Sequence, residues 1–110
     1  MSHETMDSCI GSCNTCATEC EQCATACLHE EQATMLARCI QLDRDCADIC
    51  RLAAAFMARG SEFSGAICRI CAEICRACGD ECTKHKHMEH CRRCAEACYR
   101  CAEQAEQFAA

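Results

Sequence analysis

The sequence predicts an all-α protein, an up-down four-helix bundle whose core is lined by cysteine side chains. Three observations support this prediction. Eighteen cysteines in 110 residues recur mostly at intervals of three and four, which places them on one face of an α-helix. Proline is absent and only four glycines occur, so long stretches contain no helix breaker. Four amphipathic stretches joined by short connections are the pattern of a four-helix bundle.

The first predicted helix covers about residues 4–28, with Ser2 as a candidate N-cap. Its cysteines follow one another at steps of four, three, four, three and four, so their thiols form one stripe. Leucine or isoleucine normally occupies such a stripe in a helix bundle, and here it consists of sulfur. The stripe contains Cys9, Cys13, Cys16, Cys20, Cys23 and Cys27.

The second predicted helix covers about residues 30–58 and mixes cysteines with other apolar residues on its inner face. That face contains Met35, Cys39, Leu42, Cys46, Cys50, Ala53 and Met57. Arg59-Gly60-Ser61 is expected to end the helix, because glycine suits the left-handed position after a helix and Ser61 can cap the next one.

The third and fourth predicted helices cover about residues 62–84 and 89–108, with a histidine-rich connection at residues 85–89. The third stripe contains Cys68, Cys71, Cys75, Cys78 and Cys82, and the fourth contains Cys91, Cys94, Cys98 and Cys101. All eighteen cysteines therefore face inward in a single domain of residues 1–110. The second and third helices each carry a second apolar stripe, which either widens this core or forms a subunit interface. These stripes are Ile49, Leu52 and Phe56, and Ile67, Ile70 and Ile74.

Up-down topology predicts that the two ends of the bundle differ in chemistry. One end receives imidazole and thioether groups, which are candidate metal ligands, although histidines also occur in exposed loops. The residues of this end are His29, Met35, His85, His87, Met88 and His90. The other end is expected to be an apolar plug formed by Met6, Ile10, Phe56, Met57, Phe63, Ile67 and Phe108.

Composition and charge limit the function. The net charge of −6 argues against a nucleic-acid or anionic-membrane partner, and no stretch approaches the length needed to span a bilayer. The N-terminal segment MSHETMD lacks the features of an export signal, which predicts a cytoplasmic protein. Thiols stay reduced there, and helical i,i+4 positions are too far apart for a disulfide, so dense cysteine indicates metal binding.

Cu(I) is the metal that this pattern favours. Soft thiolate and thioether ligands select Cu(I), zinc or iron–sulfur clusters, and repeated mid-helix CxxxC pairs suit a row of sites rather than one closed site. Many monovalent ions would also offset the charge of many thiolates. A zinc-thiolate buffer and a thiol redox protein are the alternatives, whereas a DNA-binding regulator lacks a basic surface. Burial of free cysteines as small hydrophobic residues explains only a few of them.

The chain resembles the copper storage protein (Csp) family, in particular its cytosolic, Csp3-like branch. The resemblance lies in the cysteine-filled bundle, the repeated CxxxC, the LDRDCADIC segment at residues 42–50 and the KHKHMEHC segment before the last helix. The resemblance covers essentially the whole chain. It implies a homotetramer that stores many Cu(I) ions per chain rather than an enzyme, with all eighteen cysteines at ligand positions and His and Met groups near the open end. A copper chaperone is the candidate delivery partner.

Overall fold

The computed structural model describes residues 3–110 and contains four α-helices, with no strand among these residues. The helices are α1 (His3–Leu28), α2 (Ala37–Ala58), α3 (Ser64–Thr83) and α4 (Glu89–Ala109). The candidate N-cap Ser2 lies outside the described residues. Each helix packs against the next, and α4 packs against α1, so the four form a closed ring of neighbours around one core. The molecule measures 45 × 18 × 17 Å, and the predicted four-helix bundle is confirmed.

Contacts between sulfur atoms establish the antiparallel order of neighbouring helices. Cys39 near the start of α2 meets Cys82 near the end of α3, with 3.6 Å between their Sγ atoms. Cys13 in the first half of α1 meets Cys101 in the second half of α4, also at 3.6 Å. Neighbouring helices therefore run in opposite directions, as the short connections require.

The second helix begins later than predicted, at Ala37 rather than near residue 30. Residues 29–32 form turns, and a short 3-10 helix, Ala33–Leu36, buries the Leu36 side chain before α2 starts. The predicted boundaries left only His29 between two helices. One residue spans at most about 3.6 Å, whereas packed helix axes lie about 8–10 Å apart, so a longer connection is necessary despite the helix-forming residues in it.

The connection between α2 and α3 agrees with the sequence in its backbone geometry. Gly60 has a φ of +67°, and the N–H of Ser61 donates to the carbonyl of Phe56 at 3.0 Å, which completes a Schellman motif. The prediction that Ser61 caps α3 is wrong: its hydroxyl accepts a hydrogen bond from the N–H of Phe63, but Phe63 is the N-cap, and α3 starts at Ser64, two residues later than predicted.

The core consists of small side chains. All eighteen cysteines are buried with 0 % exposure, and fully buried alanines fill the spaces between them. In the apolar stripes, Ile49, Ile67 and Ile74 pack partly buried against this core, whereas Leu52 and Ile70 remain 43 % and 47 % exposed. The wider-core interpretation therefore holds for only part of each stripe.

The end of the bundle opposite the histidines is largely apolar. Met57 is fully buried there, and Met6, Ile10, Ile67 and Phe108 pack partly buried against the core. The prediction is wrong for Phe63, which is 58 % exposed because it precedes α3 and lies outside the helical stripe.

Candidate metal centre

The cysteine side chains of the four helices form one continuous column of sulfur, which we call the thiol column. The closest pairs join different helices: Cys46 and Cys75 at 3.5 Å, and Cys16 and Cys46 at 3.6 Å between Sγ atoms. Pairs within a CxxxC repeat are no closer, as Cys16 and Cys20 show at 3.9 Å. Each CxxxC pair is therefore part of a wider network, and a bound ion could take ligands from two or more helices.

Groups of four ligand atoms recur along the thiol column. In each group all four atoms lie within 4.8 Å of one another, and sulfurs such as those of Cys16 and Cys20 belong to two groups. Shared sulfurs could bridge neighbouring ions, so the column suits a cluster better than isolated sites. The groups include Cys13–Cys50–Cys71–Cys101, Cys16–Cys46–Cys50–Cys75, Cys16–Cys20–Cys46–Cys98 and Cys20–Cys78–Cys94–Cys98.

The thiols are free, and the interior keeps many of them protonated at neutral pH. Burial away from water raises the pKa of Cys27 to about 12, and negative charge on Cys39 acts in the same direction. At the opposite end, a hydrogen bond with Cys13 and burial raise the pKa of Cys9 to about 12. Hydrogen bonds from Cys23 and Cys20 instead lower the pKa of Cys39 and Cys94 respectively, so these two thiols carry negative charge. The protonated thiols pack as small apolar side chains, so the bundle can fold before metal binds.

A buried carboxyl group, Asp43, lies within the thiol column. Its Oδ1 atom is 3.1 Å from the sulfur of Cys78 and 3.2 Å from that of Cys94, and the side chain has no exposure to solvent. Burial, followed by negative charge on Cys94 and Cys39, raises the pKa of Asp43 to about 9. The carboxyl is therefore protonated at neutral pH in the metal-free protein and can offer an oxygen ligand once it loses that proton.

Asp43 is absent from the predicted ligands, although its spacing contains the signal. Asp43 lies four residues after Cys39 and three before Cys46, which continues the stripe of the second helix. The predicted inner face includes Leu42 and is wrong at this position, since Leu42 is only partly buried and Asp43 points inward. An aspartate on a cysteine stripe would be costly in a purely apolar core, which itself indicates a polar function.

His90 completes a ligand group at the histidine-rich end of the bundle. Its Nδ1 atom is 3.5 Å from the sulfur of Cys23, 3.6 Å from that of Cys91 and 4.0 Å from that of Cys27. On the other side of the ring, Nε2 lies 3.2 Å from Oε1 of Glu30. His90 is thus the predicted histidine that the structure brings against the thiols.

His85 belongs to a charged cluster near the same end. Its Nε2 lies 3.3 Å from Glu81, a nearly buried carboxylate that also pairs with Lys84 at 3.1 Å and Arg38 at 3.4 Å. Although burial alone would raise the pKa of Glu81, hydrogen bonds from Lys84 and His85 hold it below its usual value. Glu81 lies three residues before Lys84 and four before His85, so helical spacing at the end of α3 brings these three together. Only Arg38 reaches the cluster from α2.

The remaining predicted ligands lie further from the sulfur atoms. Met35, which is 74 % exposed, lines a surface pocket of about 480 Å³ together with His85, His87 and Met88. Met88 is partly buried and packs against the core, whereas His29 and His87 are exposed. Four of the six residues predicted for this end of the bundle line the pocket, whereas His29 and His90 do not.

The distances in the thiol column suit more than one soft metal. Zn–S bonds of about 2.3 Å give sulfur–sulfur edges of about 3.8 Å in a tetrahedron, and the column contains pairs at 3.5 to 3.9 Å. Distance alone therefore does not separate zinc from Cu(I). The relationship to known proteins distinguishes the two.

The chain matches the family described as "Copper storage protein" over residues 2–110. It is similar to the "Uncharacterized cysteine-rich protein YhjQ" of Bacillus subtilis, with 50 % identity over 94 % of this chain and 95 % of that protein. It is also similar to the Cu(I)-bound copper storage protein BsCsp3, with 48 % identity, a TM-score of 0.91 and coverage of 96 % and 99 % of the two chains.

A third relative is a cytosolic copper storage protein from Streptomyces lividans, solved with five coppers. This chain is 43 % identical to it with a TM-score of 0.93, and the alignment covers 96 % of this chain and 92 % of that chain. In addition, no helix within residues 3–110 is both long and apolar enough to cross a membrane.

Proposed function

Because the chain belongs to the copper storage protein family, we propose that it takes up and stores many Cu(I) ions in its thiol column. The observation that carries this conclusion is the burial of eighteen free thiols in 110 residues, connected to one another across all four helices. A store of soft monovalent ions explains this core, since leucine would stabilise a purely structural bundle better.

The proposed ligands are the thiolates of the column, with Asp43 as an oxygen donor within it and His90 as a nitrogen donor at its end. Shared sulfurs would let neighbouring ions form clusters, and each bound cation would offset the charge of a newly formed thiolate. The proposed thiolate ligands are Cys9, Cys13, Cys16, Cys20, Cys23, Cys27, Cys39, Cys46, Cys50, Cys68, Cys71, Cys75, Cys78, Cys82, Cys91, Cys94, Cys98 and Cys101.

Uptake is proposed to begin at the histidine-rich end. Met35, His85, His87 and Met88 line the surface pocket there and supply soft or borderline ligands close to solvent. His90 contacts Glu30, which lines the pocket, on one side of its ring and Cys23 and Cys91 on the other, so it can pass an ion inward to these thiols.

Removing the imidazoles tests this route. Replacing His85, His87 and His90 together by alanine is expected to slow loading and to leave the final capacity nearly intact, because the thiol column is untouched. Stopped-flow measurement of Cu(I) uptake checks the rate, and His3→Ala, in an exposed residue outside this end, is the control. Unchanged uptake in the triple variant would contradict the route.

Storage itself is tested by anaerobic titration of the fully reduced protein with Cu(I), followed by gel filtration and quantitation of metal and thiols. Retention of more than about ten ions per chain against a Cu(I) chelator is the expected result. Saturation at about four or five ions, with zinc bound as well or better, would indicate a zinc-thiolate buffer instead. Protein with alkylated thiols is the control and should retain none.

We further propose that the chain acts in the cytoplasm without enzymatic activity, receives copper from a copper chaperone and assembles as a homotetramer.

The exposed side chains of Leu52 and Ile70 offer apolar surface for assembly. Light scattering after gel filtration should give the unaltered protein a mass four times that of the 12.1 kDa chain. The double variant Leu52→Glu/Ile70→Glu should give a smaller mass. Leu28→Glu, at another exposed position, should leave the mass unchanged. A 12.1 kDa species for the unaltered chain would contradict the tetramer.

A further inference from the structure

The hydrogen bond between Glu30 and His90 assigns a specific role to a carboxylate outside the thiol column. We infer that Glu30 is a positioning residue, which fixes the tautomer and the orientation of His90 so that Nδ1 is available to a Cu(I) ion held by Cys23, Cys27 and Cys91. This inference rests on the proposed function, because it concerns how one end of the copper store is built.

The geometry around the imidazole ring supplies the argument. Nε2 of His90 lies 3.2 Å from Oε1 of Glu30. A carboxylate only accepts hydrogen bonds, so Nε2 must carry the proton, and the neutral ring then has its lone pair on Nδ1. That atom faces three sulfurs at 3.5, 3.6 and 4.0 Å. The ring therefore presents its unprotonated nitrogen to the only thiols within reach among the described residues.

Burial supports a role for the ring orientation. The His90 side chain is 22 % exposed and lies in the first turn of α4, so helix packing limits its movement. Glu30 is 41 % exposed and comes from the connection after α1, where its N–H donates to the carbonyl of Cys27 at 3.2 Å. The same turn thus holds the carboxylate next to one of the proposed ligands of the site.

With Cu(I) bound at Nδ1, Glu30 and His90 would form a carboxylate–histidine–metal triad, in which the carboxylate on Nε2 fixes the orientation and raises the basicity of Nδ1. Loss of such a partner typically costs about 10- to 100-fold in metal affinity. A glutamine at position 30 would be close in size to Glu30, but its amide can both donate a hydrogen bond to Nε2 and accept one from it. It would therefore tolerate either tautomer and release the constraint on Nδ1.

The experiment is a site-specific NMR measurement on protein with ¹⁵N-labelled histidine, which reports the protonation of both ring nitrogens of His90. It is made first on the metal-free protein and then at buffered concentrations of free Cu(I), which is diamagnetic. The variants are Glu30→Gln and, as a control for charge, Glu31→Gln. Glu31 is an exposed neighbour, and no described hydrogen bond joins it to a histidine.

The expected result is a His90 ring protonated at Nε2 in the unaltered protein and in Glu31→Gln, and a mixture of tautomers in Glu30→Gln. The free Cu(I) concentration that half-saturates the His90 signal should rise about tenfold or more in Glu30→Gln alone. Identical tautomers and affinities in all three proteins would overturn the inference, as would equal effects of Glu30→Gln and Glu31→Gln.

The two proposals fail in distinguishable ways. If the thiol column fills with Cu(I) while the His90 signal does not respond, copper storage stands and the positioning role is overturned. If the protein retains only a few Cu(I) ions, the proposed function fails, and the tautomer comparison in the metal-free protein still decides whether Glu30 fixes the ring.

Discussion

Replacing Asp43 by asparagine should remove much of the pH dependence of stability of the metal-free bundle. The substitution keeps the size and shape of the side chain and removes its titratable group. Since Asp43 is fully buried among Cys78, Cys82 and Cys94, ionisation of this carboxyl in the folded protein places a charge in a core without water.

The sign and size of the effect follow from the pKa of Asp43. Its folded value, about 9, is above the ordinary 3.8, so the folded chain binds a proton that the unfolded chain has lost. This contribution to stability is complete below pH 3.8 and is lost as the pH rises towards 9. Within that window the free energy of unfolding should fall by up to about 1.4 kcal/mol per pH unit, or about 2.7 kcal/mol between pH 5.5 and 7.5.

The assay is urea denaturation of reduced, metal-free protein under anaerobic conditions at several pH values from 5.5 to 7.5. Cys39 and Cys94, whose pKa is lowered in the fold, are present in both proteins, so the difference between the unaltered protein and Asp43→Asn reports the contribution of the carboxyl. Asp45→Asn, at an exposed position on the same helix, is the control and should keep the dependence. An equally steep dependence in Asp43→Asn would refute the reasoning.

Two further predictions concern packing and metal release. Gly79→Ala should destabilise the protein by about 1–3 kcal/mol in urea denaturation, because its Cβ would lie 2.9 Å from Cε1 of Tyr99, whose hydroxyl is held by Asp80 at 2.5 Å. Gly65→Ala, with 3.8 Å to its nearest neighbour Arg69, should not destabilise it, and equal losses in both variants would contradict the packing argument. Cu(I) retention against a chelator should weaken as the pH falls from 8.0 to 6.5, by up to about tenfold per pH unit for each displaced proton. Retention that does not change with pH would argue against thiolate ligands.

The fold could be predicted from the sequence because one periodic signal dominates it. Each cysteine stripe determines which face of its helix is buried, and the absence of proline leaves that signal uninterrupted. The start of the second helix could not be placed in this way, because residues 30–36 favour a helix locally. The need to reverse the chain between antiparallel helices overrides that preference, and Leu36 is buried beneath the resulting turn.

The thiols of the site could be predicted from the sequence, whereas the contacts between them could not. The spacing placed cysteines on common faces, but their closest contacts cross between helices and depend on tertiary packing. Asp43 was not predicted, because an aspartate is not expected in an apolar core, although its spacing from Cys39 and Cys46 places it on the cysteine stripe. Glu30 meets His90 only through the packing of the first connection against α4, which periodicity does not report. The pairing of Glu81 with His85, four residues later, was by contrast visible in the spacing.

The most direct test of the central claim is anomalous X-ray diffraction at the copper edge from crystals of the Cu(I)-loaded, reduced protein. We expect a row of copper ions along the 45 Å axis of the bundle, bound by sulfurs from different helices, with one ion between His90 and the neighbouring cysteines. Copper confined to surface histidines, with the thiol column free of metal or oxidised to disulfides, would contradict the account.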